Sequence, residues 1–274
     1  VKAIPVSIII LTRNEEANLP VLAASIGWCD DVHVVDSDSA DGTRAEAQRL
    51  GFRTWSHAFT GFGDQRNWAL DHCALKYDWI LFLDADETST PAFAAALASA
   101  IAAAPAAVAG FYCCYKVIID GVWLRRCDDF PKWQFRLLRR GRARFANFGH
   151  GQREDAVQGG IGRVPEPYEH RPLSKGWGEW RERHEGYADR EALERVGLPF
   201  RPAAVFMPRG PERNRALKGV VSRIPGWPLV RFAVPYFLKL GLLEGRPALR
   251  YCAELARYEA RIQAKMRAIE AART

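Results

Sequence analysis

Short apolar runs alternate with alanine-rich or amphipathic stretches along the first hundred residues, and that alternation predicts the elements. Val6 to Leu11 is apolar and rich in β-branched residues, the pattern of a strand buried on both faces, and it ends in Thr12-Arg13-Asn14-Glu15-Glu16. Asn18 and Pro20 then open an Ala/Leu helix to about Ile26. Asp31 to Val35 is a second strand, followed by Asp36-Ser37-Asp38-Ser39-Ala40-Asp41-Gly42-Thr43 and a helix to about Leu50. Arg53 to Trp55 is a short third strand, Gln65 to Leu75 a helix, and Trp79 to Leu83 a fourth strand. Strand and helix alternate throughout, which predicts a doubly wound, mostly parallel α/β sheet that binds ligands at the carboxyl ends of its strands.

The fourth strand runs straight into Asp84-Ala85-Asp86-Glu87 and a Thr-Ser-Thr-Pro turn. Carboxylates crowded where a buried strand emerges raise one another's cost of ionisation. Asp84 and Asp86, alternate residues of an extended chain, point the same way, and two hard oxygen ligands suit Mg²⁺ or Mn²⁺, which keep other positions for water and phosphate oxygens. A solvated turn in which Asp and Thr cap the helix opening at Pro91 accounts for the same residues. Neither GxGxxG nor GxxxxGKS/T follows any strand, so the dinucleotide fingerprint and the phosphate loop are both absent.

Beyond residue 110, Phe111 to Ile119 and Gly121 to Leu124 read as a hairpin around Asp120-Gly121. Phe135 to Leu138 and Arg144 to Phe148 are further strands, and Gly149-His150-Gly151-Gln152-Arg153-Glu154-Asp155 follows as a loop. From Ser174 the pattern turns helical, with Trp177, Trp180, His184 and Tyr187 on one face as a core stripe under the sheet. Residues 197–211 carry Pro199, Pro202, Pro208 and Pro211 and read as a boundary. Past it, Val230 to Leu243 is a broad apolar segment interrupted by Arg231, Pro235 and Lys239. It is a poor membrane span but a good in-plane segment: Trp227, Phe232, Tyr236 and Phe237 enter the interface while Arg223, Arg231 and Lys239 meet lipid phosphates. The last helix, Pro247 to Ala272, either covers the catalytic domain or pairs with a second copy of the chain as a homo-oligomer.

Charge sharpens this division. The net charge of +7 is uneven: residues 199–274 carry +10 and the remainder −3, so the tail faces an anionic partner. Prolines and membrane-type aromatics interleave the bases and no nucleic-acid module pattern appears, which favours an anionic membrane surface over nucleic acid. With 274 residues and 48% hydrophobic content the chain buries a full core, as one large domain or one domain with an appendage. Six cysteines without a CxxC, two of them adjacent, fit reduced thiols in a cytoplasmic protein rather than a zinc site or a disulfide framework. No charged-then-apolar leader precedes the first strand.

Four segments, Thr12-Arg13-Asn14-Glu15, Val35-Asp36-Ser37 with Asp41-Gly42-Thr43, Gln65-Arg66-Asn67-Trp68-Ala69-Leu70, and Asp84-Ala85-Asp86-Glu87, occur in this order. Together they resemble the nucleotide-sugar half of a family 2 inverting glycosyltransferase with a GT-A fold. The resemblance covers roughly residues 5–190 and is to the small bacterial members that build lipopolysaccharide core or surface polysaccharide. It implies a GT-A domain over 1–198, with a nucleotide-sugar half (1–110) and an acceptor half (111–198), and a helical, membrane-associating extension over 199–274. It also implies that Asp36 and Ser37 hold the base or ribose, with the Thr12, Arg13, Asn14 and Glu15 backbone lining the base. Arg66 would approach the uracil or the diphosphate. Asp84 and Ala85 would lie near the ribose and metal waters, and Asp86 would ligate Mg²⁺ or Mn²⁺ between the phosphates. His150 is either a metal or phosphate contact or a hydrogen-bonded turn histidine. Inverting transfer needs one carboxylate to take the acceptor's proton. Glu154 matches that role best, ahead of Asp155, with Asp128 or Asp129 third; relatives place a Glu directly after a His where this chain has Gly151. No QxxRW marks a polymerising enzyme. The implied function is transfer of a single sugar from a UDP-sugar to a lipid-anchored glycan at the cytoplasmic face of a bacterial inner membrane. The other readings are a polyprenyl-phosphate acceptor and a catalytically silent nucleotide-binding scaffold.

Overall fold

Parallel pairing dominates the first half of the chain. The computed structural model describes residues 3–148, 151–208 and 210–273. Strands β1 (Val6–Thr12), β2 (Val32–Asp36), β3 (Arg53–Ser56) and β4 (Trp79–Asp84) lie parallel in the order β3-β2-β1-β4. The crossovers carry α1 (Leu19–Ser25), α2 (Thr43–Arg49) and α3 (Phe62–His72), the last of these starting three residues before the expected helix. Then come the two-residue strand β5 (Glu87–Thr88) and helix α4 (Pro91–Ala103). The apolar runs are continuous because both faces are covered. Ile8, Ile10, Leu81 and Leu83 pack with Leu19, Leu22, Phe93 and Leu97 on one side, and Ile9, Ile80 and Phe82 with Ala69 and Phe145 on the other. Thr90 caps α4, its hydroxyl accepting from Phe93 N at 3.1 Å, with Pro91 at the first helical position. Neither Asp84 nor Asp86 is that cap.

Beyond β4 the sheet becomes mixed. It continues through β8 (Lys132–Arg139) to β6 (Val108–Ile119), against which β11 (Gly160–Arg163) and β12 (Tyr168–His170) lie parallel, with β5 on the outer edge of β12. Strand β9 (Arg144–Phe148) pairs with β10 (Gly151–Asp155), so the segment read as a loop carrying Glu154 and Asp155 is a strand. All of this lies in the first of two compact units, residues 1–118 and 130–174.

The second unit comprises residues 119–129 and 175–274, so the division falls after Ser174 rather than after residue 198. The 111–198 acceptor half is thereby split, because α5 (Gly176–Val196) takes its core from the C-terminal region. In the 119–129 segment Asp120 and Gly121 both have positive φ, 49° and 78°, the conformation of the expected tight hairpin turn into β7 (Val122–Trp123). Next come a 3₁₀ turn Pro202–Phe206, α6 (Pro211–Val221), α7 (Trp227–Ala233), a π-helical turn Val234–Leu238, a 3₁₀ turn Gly241–Glu244 and α8 (Gly245–Ala271). Helix α5 packs on α8 through Ala188, Ala192, Ile262 and Met266. Trp180 stacks on His184 at 3.6 Å, and His184 meets Tyr258 of α8 edge-on at 5.2 Å. The aromatic stripe therefore packs against α8, a helix pairing that the local sequence pattern does not show. Among the residues read as membrane-facing, Arg231 and Phe237 are exposed while Trp227, Phe232 and Tyr236 are half-buried. Arg223 pairs with Glu270 at 3.2 Å, and Lys239 pairs with Asp129. Among the described residues no helix is long and apolar enough to cross a membrane.

Candidate functional site

The parallel register sets three strand ends side by side: Thr12 opposite Asp36, and Leu11 opposite Asp84. The loops leaving β1 and β2 then knit together. Asn14, at φ 58°, donates its N–H to Ser39 Oγ (2.8 Å) and accepts from Ala40 N (2.8 Å), and Glu15 N donates to Thr43 Oγ1 (2.8 Å). Gly42 N donates to Glu16 Oε2 (2.9 Å) while Glu16 N donates to Asp41 Oδ2 (3.3 Å). Asp36 is fully buried, accepting from Thr12 Oγ1 (3.1 Å), Ser39 N (3.1 Å) and the Ser39 hydroxyl. The buried Ser37 accepts from Gln65 Nε2 of α3 at 2.8 Å. Asp36 thus braces its loop, and Arg13 and Asn14 are exposed at the rim. Asp41 accepts from Thr43 N at 3.1 Å at the start of α2.

The acidic tip of β4 is held by a cation the sequence analysis passed over. Arg136 of β8, 1% exposed, donates to Asp84 Oδ1 (3.1 Å), Asp84 Oδ2 (2.7 Å), Glu87 Oε1 (2.6 Å) and the Tyr168 hydroxyl (3.2 Å). Burial alone would raise the Asp84 pKa, but the Arg136 and Arg66 guanidiniums hold this carboxyl well below the usual range. Burial raises the pKa of Glu87, with the charge of Asp84 adding to it against Arg136. Arg66 of α3 is also 1% exposed, lying over the rings of Phe82 (5.2 Å) and Phe145 (5.7 Å) and reaching Asp84 Oδ1 at 3.4 Å. Burial lowers its pKa to about 10, with Asp84 opposing. Its Nε and Nη1 are buried without a partner among the described residues, two donors aimed at an acceptor the protein does not supply. Ala85 turns its side chain into the core, which leaves its backbone for any ligand contact.

After Asp86 the chain doubles back, and β5 pairs with β12 in the register His170 opposite Glu87. This brings His170 Nε2 to 3.3 Å from Asp86 Oδ2. His170 Nδ1 is buried without a partner among the described residues. Burial lowers the His170 pKa, but Asp86 and the further carboxylates Glu87 and Asp84 outweigh it, so the net shift is upward. Among the described residues no cluster of three His, Cys, Asp or Glu could hold a metal by itself. One carboxylate and one imidazole nitrogen converging at this edge suit a divalent ion that takes its remaining ligands from water and phosphate. His150 lies outside the described residues. His170 escaped the sequence analysis because a lone His between Glu169 and Arg171 carries no local signal.

Alternation along β10 separates the two candidate bases. Glu154 is half-buried and accepts a short hydrogen bond from the Tyr112 hydroxyl of β6, while Asp155 is exposed. That contact and burial push the Tyr112 pKa up to about 12. Tyr112 in turn meets Phe135 edge-on at 5.8 Å, in the ring layer that contains Phe82 and Phe145. Asp128 accepts from Tyr251 at 2.6 Å and Asp129 is held by Lys239, both within the second unit.

The model of glycosyl transferase family 2 matches residues 7–163, more than half of the chain. The chain belongs to that family. Its α/β sheet is the GT-A arrangement that the four motifs implied, and the chain carries a glycosyltransferase domain. The "Lipopolysaccharide core biosynthesis glycosyltransferase LpsC" of Rhizobium meliloti (strain 1021) is 30% identical over 147 residues, 52% of this chain and 53% of that protein. An uncharacterized glycosyltransferase of Rickettsia felis is 39% identical over 83 residues, 30% of this chain and 29% of that protein. The chain therefore spans about half, or less, of the length of these curated relatives. Among solved structures, glucosyl-3-phosphoglycerate synthase from Mycobacterium tuberculosis, with Mn²⁺, UDP and glucosyl-3-phosphoglycerate, is 24% identical at a TM-score of 0.35. The match covers 40% of this chain and 44% of that one, and nothing further rests on it.

Proposed function

We propose that this chain moves one sugar, with inversion, from a UDP-sugar to a lipid-anchored glycan of lipopolysaccharide or surface polysaccharide, at the cytoplasmic face of a bacterial inner membrane. The observation that carries the donor half is the Asp86–His170 pair at 3.3 Å, beside an Arg66 with two buried, unpartnered donors. Asp86 and His170 would hold Mg²⁺ or Mn²⁺, which would stabilise the charge that builds on a leaving diphosphate. Arg66, steadied by Asp84, offers Nε and Nη1 to phosphate oxygens, a geometry suited to guanidinium recognition. Arg136 holds Asp84 and Glu87 in place and is a positioning residue. Glu154 takes the proton of the acceptor hydroxyl as that oxygen attacks the anomeric carbon; the bond to the diphosphate breaks and the nucleoside diphosphate leaves with the electron pair. The Tyr112 hydroxyl fixes the Glu154 carboxylate. The acceptor class is supported by the Rhizobium meliloti relative, whose name places it in lipopolysaccharide core biosynthesis.

Calorimetric titration with UDP tests the donor half. Binding is expected with Mn²⁺ and lost with chelator, and Asp86→Ala and His170→Ala should each abolish the metal-dependent part. UDP binding that is indifferent to both metal and these substitutions would refute the assignment.

A further inference from the structure

The second unit leaves an apolar face uncovered. Fifteen large hydrophobic side chains are exposed among the described residues, and nine of them fall within residues 224–249. The most exposed are Leu238 (77%), Leu229 (74%) and Leu243 (63%), with Phe237 and Leu242 beside them in sequence. Soluble monomers expose such side chains singly, and a concentration of this kind marks an interaction surface. The local structure explains the exposure. Pro235 is buried in the π-helical turn Val234–Leu238, and Phe232 and Tyr236, both half-buried, stack on each other at 5.2 Å. The two residues that close the turn, Phe237 and Leu238, are left outside, and the 3₁₀ turn after them presents Leu242 and Leu243.

The charges around this face select its occupant. No acidic residue occurs from Arg213 to Leu243, a stretch that holds six basic ones, of which Lys218, Arg223 and Lys239 pair with acids from elsewhere in the second unit, and residues 199–274 carry +10. Arg231, Arg246 and Arg250 are exposed among the leucines. A second copy of the chain would bring the same basic rim against this one, with no carboxylate in the stretch to answer it. A nucleic acid would match the rim and leave the leucines without a partner. A bilayer with anionic headgroups answers both, taking the leucines into the acyl boundary while the arginines meet phosphates.

We propose that residues 229–243 dock the second unit onto an anionic lipid surface, in the plane of the membrane, with Leu229, Phe237, Leu238, Leu242 and Leu243 as the inserted residues. They replace most of the aromatics suggested by the sequence; Arg231 is kept from that set, and Arg246 and Arg250, the latter lying over the Trp177 ring at 4.5 Å, take the place of Arg223 and Lys239, which are occupied by Glu270 and Asp129. The proposal needs no turnover, so it stands or falls apart from the transfer reaction.

Co-sedimentation of the full chain with phosphatidylglycerol/phosphatidylcholine vesicles and with pure phosphatidylcholine vesicles, without donor or acceptor, tests it. Binding is expected only to the anionic vesicles. Leu238→Glu/Leu243→Glu should weaken it at least tenfold, and Arg231→Gln/Arg246→Gln about fivefold for each charge removed, both variants keeping the wild-type melting midpoint. Wild-type protein that stays in the supernatant, or a Leu238→Glu/Leu243→Glu variant that binds like wild type, would overturn the proposal. So would light scattering that shows a wild-type dimer converted to monomer by the leucine substitutions, which would make this face an interface between copies.

Discussion

Replacing Arg136 with leucine tests whether one buried cation holds the acidic end of β4. The side chain donates two hydrogen bonds to Asp84, one to Glu87 and one to Tyr168, so four contacts are lost at once. The partners do not suffer equally. Asp84 keeps Arg66 and its side chain is 43% exposed, so solvent takes up much of its charge. Glu87 is 1% exposed and, among the described residues, keeps the N–H of Asp84 at 2.8 Å as its remaining hydrogen-bond donor. Removing one partner of a buried ion pair costs about 3–5 kcal/mol. At about 2–4 °C per kcal/mol for a domain of this size, the melting midpoint should drop by on the order of 10 °C. Adding Glu87→Gln to Arg136→Leu removes the stranded charge and should recover about half of the loss, since an uncharged amide is far cheaper to bury than a carboxylate. Circular-dichroism melts of the wild type, both single variants and the double variant make the comparison. A single variant within about 2 °C of wild type, where the coupling predicts several times that, or a double variant no more stable than Arg136→Leu, would refute the reasoning.

Glu154→Gln should lower turnover by about 10²–10⁴-fold with donor affinity unchanged, whereas Asp155→Asn should stay within a few-fold, because β10 turns only Glu154 toward Tyr112; steady-state kinetics with the identified acceptor decides between them. His33 is buried with both ring nitrogens committed: Trp55 Nε1 donates to Nδ1 (3.1 Å), so Nε2 carries the proton and faces Asp31 Oδ1 (3.1 Å). Burial lowers its pKa below that of the unfolded chain, so the unfolded state binds the extra proton. The melting midpoint should therefore fall as pH drops below about 6.5, less steeply in His33→Gln, whose amide can both accept and donate; equal slopes would count against this. Gly63→Ala in α3 should destabilise, because an added Cβ would lie 2.7 Å from the backbone carbon of Ala146. Gly186→Ala in α5, with nothing within 4 Å, should stabilise by up to about 1 kcal/mol in denaturant titrations.

The half of the site formed by β1, β2 and β4 was legible because each strand is a buried apolar run whose polar residues begin where it leaves the core. Parallel register alone brings Thr12, Asp36 and Asp84 to one edge. The other half was not legible, because the residues concerned sit in segments with no strand signature of their own. Gly151–Asp155, Gly160–Arg163 and Tyr168–His170 are polar or glycine-bearing and become strands only because β9 and β6 offer them partners. Arg136 was hidden for the opposite reason: Phe135, Leu137 and Leu138 make its segment an ordinary core strand, and a buried arginine is tolerated there only because Asp84 at the end of β4 and Glu87 of β5 both accept from it.

These two halves depend on each other. Asp84 and Glu87 crowd together at the end of β4, and without a cation both could not be charged in a space where Glu87 is sealed from water. Arg136 neutralises that crowding permanently, which leaves Asp86, the next carboxylate along the same edge, outside the ion cluster and facing His170. The acidic tip thus divides its labour by partner. The carboxylates that Arg136 reaches hold the turn, and the one that is not paired to an arginine among the described residues is the one left to meet a divalent ion.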